Sequence, residues 1–458
     1  MTALPLDRVL VSGRDLETVV AVRDGTPLRF GRFVADVMHT ARAVQARGVA
    51  RGALRSADPY RFLVGLFGLM HAGAMVVLPP DGLPGTLVSL RDEFDVLLCD
   101  EPPPPDLEAL PIEEGQPGGP PAGALDPAVA MLTFFTSGST GTPKRIVKPL
   151  TALNHEIAVL DAGWALAAAG RIVMATVPYR HIYGLTYQLL WPLAAGLPFA
   201  SHVDEFWETL LARDVTDAVL ITSPAHLTRL SGIAPLPAGR APALVFTGGA
   251  PLLAAQAREA ARVLGLPLTE MFGSTEVGAI ATRIQRAQGA DEPWTPLPGI
   301  QVRPDEGGCM LVYSPLSENG APFASADRIE LTLDGRFHFL GRADRIVKFE
   351  GKRVSLTRLE VELVALFLVD DAAAVILDGT PERLAVAIVL TGEGRVRLDS
   401  LGAFRFSRDL RRQLSRVFES ASLPKSWRFV DSLPQGALGK RREADIRALF
   451  EPGASPER

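Results

Sequence analysis

The stretch "TFFTSGSTGTPKRIVK", Thr133 to Lys148, decides how the rest of the chain is read. β-forming residues run into a block of small, hydroxyl-bearing and glycine positions that closes on Pro143-Lys144. Backbone N–H groups of such a loop reach an anion without side-chain obstruction, and Ser and Thr hydroxyls add donors. A polyphosphate is the ligand this chemistry suits. The common loop motifs do not fit, however. A Walker A loop starting at Gly138 would need a glycine where Pro143 stands, and no Gly-x-Gly-x-x-Gly follows a strand. Gly138-Ser139-Thr140-Gly141 is not the Gly-x-Ser-x-Gly elbow of a serine hydrolase, and "NHEIAV" lacks the second histidine of a helical zinc site.

Downstream of this loop a strand–helix rhythm runs on. "TALNHEIAVLDAGWAL" places Leu153, Ile157, Leu160 and Trp164 at helical spacing after a Thr151 cap. "AVLIT", "ALVFT" and "PLTEMF" read as strands, and the helices between them start at Ser223-Pro224 and stop at Gly265. Alternation of this kind predicts a parallel sheet covered by helices. "TSGST", "GGAP" and "GSTE" each follow a strand end, the edge at which open α/β sheets bind ligands. After about Gly341 the pattern changes. Two short strands around Glu350-Gly351, a Ser355-capped helix, two more strands and a last helix read as a smaller α+β domain. Upstream, the Pro-, Gly- and acid-rich segment from Glu101 to Pro127 reads as an irregular surface excursion. The fold class expected is therefore α/β, with a large N-terminal domain over residues 1–341 and a smaller domain over 342–458.

With 458 residues, 47% apolar and 22% charged, the chain has the balance of a globular protein of two or three domains. A net charge of −5 argues against nucleic-acid binding driven by bulk charge. Two distant cysteines, Cys99 and Cys309, provide neither a disulfide framework nor a cysteine zinc site. The charged N-terminal stretch does not read as a signal peptide, and no apolar run approaches a membrane span. A cytoplasmic location is expected.

"TSGSTGTPK" resembles the phosphate-loop signature of the adenylate-forming superfamily, which comprises acyl- and aryl-CoA synthetases, peptide-synthetase adenylation domains and luciferases of the firefly type. "HIYGL", "GGAPL", "MFGSTEVG", "ASADRIEL", "GRADRIVKFEGKRV" and "LPQGALGKRREADI" resemble its further motifs in the expected order. The resemblance implies a two-step reaction. A carboxylate attacks the α-phosphate of Mg-ATP to give an acyl-adenylate and pyrophosphate; a thiol of CoA or of a carrier-protein phosphopantetheine then displaces AMP.

Residue by residue, it implies that Thr136, Ser137, Gly138, Ser139, Thr140, Gly141 and Lys144 hold phosphates. Gly249, Ala250 and Pro251, and Met271 to Thr275 (Met271, Phe272, Gly273, Ser274, Thr275), border the nucleotide. Glu276, with Thr140, would hold Mg²⁺, a hard cation that prefers oxygen. Asp327 would bind ribose, although Phe323-Ala324-Ser325-Ala326-Asp327 departs from the usual Tyr-x-Thr-Gly-Asp, and Arg342 would touch ribose or phosphate. Lys440 matches the lysine of adenylation, Asp344 the hinge of a mobile small domain, and Gly351 the pantetheine channel. His181, Tyr183, Gly184, Gly248, Gly278 and Ala279 would line the acid pocket, with His181 beside the reacting carboxylate.

Arg180-His181-Ile182-Tyr183 carries no aspartate to pair with a substrate ammonium, which disfavours amino acids. "HIYGLTYQLLWPLAAGLPF" further resembles stand-alone ligases of aryl polyene and xanthomonadin-type pigment clusters, and an aryl acid such as a hydroxybenzoate is the substrate expected. A medium-chain fatty acid, loaded on CoA or a carrier protein, and a non-catalytic binding module remain the alternatives. The partners expected are a small carboxylic acid and CoA or an acyl carrier protein, without nucleic acid; a homodimer stays open.

Overall fold

Strand propensity and loop chemistry build the frame around the quoted stretch. The computed structural model describes residues 2–115, 122–136, 144–230, 232–285, 291–315, 321–349, 352–377, 383–418, 423–434 and 441–451. The chain divides into two compact units, one of Met1–Glu292 with Pro296–Ile300 and Ala437–Gly439, the other of Pro293–Thr295, Gln301–Gly436 and Lys440–Arg458. The boundary expected at 341/342 marks a hinge for motion, which compactness does not test.

In the first unit one sheet runs in the order Ala109–Pro111, Val96–Cys99, Arg51–Arg55, Met75–Leu78, Met131–Thr136, Lys144–Pro149. All its pairings are parallel except the last, in which Thr136 lies opposite Lys144. A second sheet includes, in order, Gly278–Arg283, Thr269–Ser274, Leu244–Gly248, Val219–Thr222 and Val173–Ala175. Here too the neighbours are parallel, except that Thr269–Ser274 pairs antiparallel with Gly278–Arg283. The expected parallel sheet is thus two mixed sheets. The phosphate-loop stretch and the "GSTE" stretch both turn back as hairpins rather than leading into helices.

One core joins the two sheets through Leu132, Phe134, Ile221, Phe246 and the helices Pro59–His71 and Leu150–Ala168. The second helix buries Leu153, Ile157 and Leu160, as its spacing predicts. Its N-cap is Pro149, not Thr151, because the returning strand delivers the chain straight into the helix. The Ser223-Pro224 helix is only Pro224–Leu227 before it tightens to a 3-10 turn, whereas Gly265 closes Ala254–Leu264 at φ 82 as expected.

The second unit has an antiparallel sheet of Gln301–Pro304, Cys309–Tyr313, Phe323–Leu331 and Phe337–Arg342. The Ile346–Phe349/Lys352–Ser355 hairpin follows, then a three-stranded sheet of Val369–Leu377, Arg383–Leu390 and Ser426–Val430. Ser355 caps Leu356–Val364 by accepting from Arg358 N–H. Leu359, Leu363, Val386, Phe406 and Leu410 form its core. The last expected helix is the second half of Gly392–Leu414, which kinks at Gly402. Among the described residues no helix is long and apolar enough to cross a membrane.

Candidate active site

The two hairpins of the first unit meet through lysines. Lys144 lies on the return strand, and its Nζ is 3.0 Å from Glu276 Oε1 at the tip of the other hairpin. Burial pushes the Glu276 carboxyl up, but the Lys144 ammonium and the Ser274 hydroxyl outweigh it and hold the group below its ordinary value. An ionised carboxylate that already faces a cation is the donor a hard divalent ion requires. Among the described residues no group of three acidic, histidine or cysteine side chains surrounds it. That suits Mg²⁺, which is usually bound by one or two carboxylates plus substrate phosphates and waters. Residues 137–143, which include Ser137, Gly138, Ser139, Thr140 and Gly141, lie outside the described residues, as do Gly351 and Lys440. Thr136 ends the strand that leads into that loop.

The register of the Glu276 hairpin is held by charge as well as by its ladder. Glu270 and Arg283 are cross-strand partners and form a buried ion pair at 2.9 Å. Two glycines, Gly273 and Gly184, fit where nothing larger would, and a third, Gly248, is tight. A Cβ on Gly273 would meet Gly278 O at 2.4 Å, and one on Gly248 would meet Met271 O and the Tyr183 ring, each at 3.1 Å. A Cβ on Gly184 would meet Pro178 O at 2.2 Å. The sequence motif "HIYG" is therefore a close backbone crossing that sets Tyr183 under Gly248.

His181 caps the Ile182–Gly184 turn, and its carbonyl accepts from Leu185 N–H at 2.8 Å. The chain then winds as a π-helix over Leu185–Leu190. Tyr183 and Tyr187 pack as a tilted pair with centroids 4.7 Å apart, and Tyr187 meets Phe246 edge-on at 5.6 Å. Both tyrosines are buried, which raises their hydroxyl pKa values well above normal. Neither hydroxyl, nor that of Thr247, has a hydrogen-bond partner among the described residues. Gly249, Ala250 and Pro251 follow the Leu244–Gly248 strand, with Gly249 at φ 90. Gly278 and Ala279 lie opposite Ser274 and Gly273.

In the second unit Asp327 and Arg342 are cross-strand partners, with 3.4 Å between Asp327 Oδ1 and Arg342 Nη1. Ser325, in the position where the sequence departs from the usual motif, donates its hydroxyl to Asp327 Oδ2 at 2.6 Å. Arg342 also grips Asp344 through two N–H groups at 3.0 and 2.7 Å and holds that carboxyl below its usual range.

Two charged residues went unnoticed in the sequence. Lys148 is buried on the return strand, and Glu156 lies on the following helix. A signal for Lys148 existed, since it shares the inward strand phase of Ile146.

A family model described as AMP-binding enzyme matches residues 85–304. The 4-coumarate–CoA ligase of Rhodobacter capsulatus is 29% identical over 317 residues, 69% of this chain and 76% of the relative. The ATP-bound structure of MatB from Rhodopseudomonas palustris matches with a TM-score of 0.81 at 20% identity, over 99% of this chain and 100% of the other. A benzoate CoA ligase from Burkholderia xenovorans matches with a TM-score of 0.78 at 18% identity, over 98% and 100%. At such identities the structural likeness speaks for the fold. Residues 85–304 match the AMP-binding enzyme family, and over about two thirds of its length the chain is similar to AMP-forming acid–CoA ligases.

Proposed function

We propose that the chain activates an aryl acid, such as a hydroxybenzoate, and transfers it to the thiol of CoA or of a carrier-protein phosphopantetheine. In the first step a substrate carboxylate oxygen attacks the α-phosphorus of ATP and the bond to pyrophosphate breaks. In the second the thiol sulfur attacks the acyl carbon, the bond to AMP breaks, and the thiol proton passes to solvent.

The observation that carries the aryl reading is the aromatic cluster of Tyr183, Tyr187 and Phe246 beside Gly248. Flat aromatic faces suit a ring. The buried hydroxyls of Tyr183, Tyr187 and Thr247 have no partner among the described residues, so they suit a ring that carries a polar substituent. The 4-coumarate ligase among the similar sequences favours the same class. So does the likeness of the "HIYGL" stretch to stand-alone ligases of pigment clusters.

Glu276, with Thr140, would hold Mg²⁺, which neutralises charge on the β- and γ-phosphates when bound. Lys144 would then turn from Glu276 to phosphate. Residues 136–141 are assigned phosphate contacts, and 249–251 and 271–275 the nucleotide. His181 faces the reacting carboxylate in this reading. Asp327, Arg342, Lys440, Asp344 and Gly351 keep the ribose, lysine, hinge and pantetheine roles that the motif resemblance implies, with motion about 341/342.

The test is acid-dependent ATP–pyrophosphate exchange across aryl, medium-chain and α-amino acids, followed by CoA or holo carrier protein. The reading expects aryl acids to lead. A medium-chain or α-amino acid that leads by tenfold would overturn the substrate class.

A further inference from the structure

Glu276 is bound at both its side chain and its backbone, by different lysines. Lys144, exposed, meets the carboxylate. Lys148, only 4% exposed, donates from Nζ to the backbone carbonyl of Glu276 at 3.1 Å. Three residues further on, the backbone N–H of Ala279 lies near enough to the Glu156 carboxylate to favour its ionised form. Between them Gly278 sits at φ 92, and a Cβ there would lie 2.7 Å from Glu156 Oε2.

The polarity of the two contacts matches the backbone: an ammonium meets a carbonyl, and a carboxylate meets an N–H. Exchanging the two charges would oppose both. Lys148 and Glu156 also lie close enough for each to feel the other's charge. Charges withdrawn from water like this are seldom the most stabilising choice, because apolar residues of similar volume often serve stability as well or better. What such charges do supply is a fixed direction.

We propose that Lys148 and Glu156 are positioning residues that hold opposite ends of the 276–279 segment. Lys148 keeps Glu276 aimed at the metal and phosphates, and Glu156 keeps Gly278 and Ala279 in place along the acid. This rests on the functional reading above, and it separates two parameters that a purely structural role would move together. Partners that orient a metal ligand typically change metal affinity or activity by about 10–100-fold when removed.

The experiment is acid-dependent ATP–pyrophosphate exchange by Lys148→Met, Glu156→Leu and Glu156→Gln, titrated separately with Mg²⁺ and with acid. For Lys148→Met the half-saturating Mg²⁺ concentration should rise ~10-fold or more while the acid KM moves less than about 3-fold. For Glu156→Leu the acid KM should rise ~10-fold with Mg²⁺ dependence little changed. Glu156→Gln, which keeps an acceptor for Ala279 N–H, should restore the acid KM to within about 3-fold.

Unchanged Mg²⁺ half-saturation in folded Lys148→Met would overturn the proposal. So would variants in which every parameter falls by the same factor. Should Lys148→Met fail to fold, Glu156→Leu and Glu156→Gln decide between them: equal acid KM values in those two overturn it. If the unaltered chain shows no acid-dependent exchange, it is the functional reading that fails.

Discussion

Each unit half-buries a glutamate and sets a backbone N–H near its carboxylate, but the compensating cations are placed differently. In the first unit the Ala279 N–H lies near Glu156, while the nearby cation, Lys148, turns its hydrogen bond to the Glu276 carbonyl. In the second unit Glu360 accepts from Ala374 N–H at 2.8 Å and pairs directly with Arg345. Burial pushes both carboxyls up. Two separated charges grip two points of one loop, which suits a loop that must present groups in a set direction. A closed ion pair grips one point, which suits a joint. Arg345 follows Asp344, and its tie to Glu360 and Ala374 fixes the Ala343–Arg345 turn to the Val369–Leu377 strand. The same strand holds Arg441, the neighbour of Lys440, through Asp371 and the Ala372 carbonyl.

If chemistry is carried by the second unit and orientation by the first, Lys440→Ala should have the largest effect. Losing one preorganised charge on a developing oxyanion typically costs on the order of 10²–10³ in rate, about 3–4 kcal/mol. Pyrophosphate release from acid and ATP should fall by that order. AMP release from presynthesised acyl-adenylate and thiol should change much less. Equal losses in the two assays would remove the distinction between the units.

Arg345→Met should come next, because it leaves Glu360 without its cation. Breaking such a pair strongly destabilises, and since Arg345 and Glu360 keep 26% and 21% side-chain exposure, a loss of about 2–3 kcal/mol is expected. Hydrogen exchange should quicken over residues 372–377 and not over residues 277–281. Quickening in both segments would show that the two glutamates are not independent.

Acid should then distinguish the units. His71 and His226, both in the first unit, are held by burial at a pKa of about 4. Arg229 adds to the effect on His226. The folded chain keeps them neutral while the unfolded chain protonates them near 6.5. Their contribution is therefore complete above pH 6.5 and is lost as pH falls from 6.5 to about 4, by roughly 2 kcal/mol each after allowance for partial exposure. Thermal midpoints measured across that window should fall with pH, and His226→Gln should flatten the curve; an unaltered slope would sink the assignment.

The smallest effect expected is on stability in Glu156→Gln, under about 1 kcal/mol at pH 7, because the amide keeps an acceptor for Ala279 and no direct ion pair is broken. A loss as large as that of Arg345→Met, read from urea unfolding, would mean Glu156 is a joint like Glu360 after all.

Much of this was legible beforehand because it is local. The Ser355 cap, the Gly265 stop and the inward spacing of Leu153, Ile157 and Leu160 follow from rules that act within a few residues. The ordered motifs likewise carried the resemblance to AMP-forming acid–CoA ligases from the chain alone. The return strand Lys144–Pro149 was not legible because three of its six residues are basic and one of them, Lys148, sits in the inward phase, so it gave no clean apolar alternation.

The sequence by itself determined that each strand runs into a small-residue loop, and the chemistry available at each loop. Tertiary structure alone decided that the loops close as hairpins on two different sheets, and that Lys144 and Lys148 meet Glu276, from which they are separated by 132 and 128 positions. The physical reason is range. Propensity and capping act within a turn or two of the chain, whereas a charge withdrawn from water needs a partner brought to it by packing, and packing joins residues that no local pattern connects.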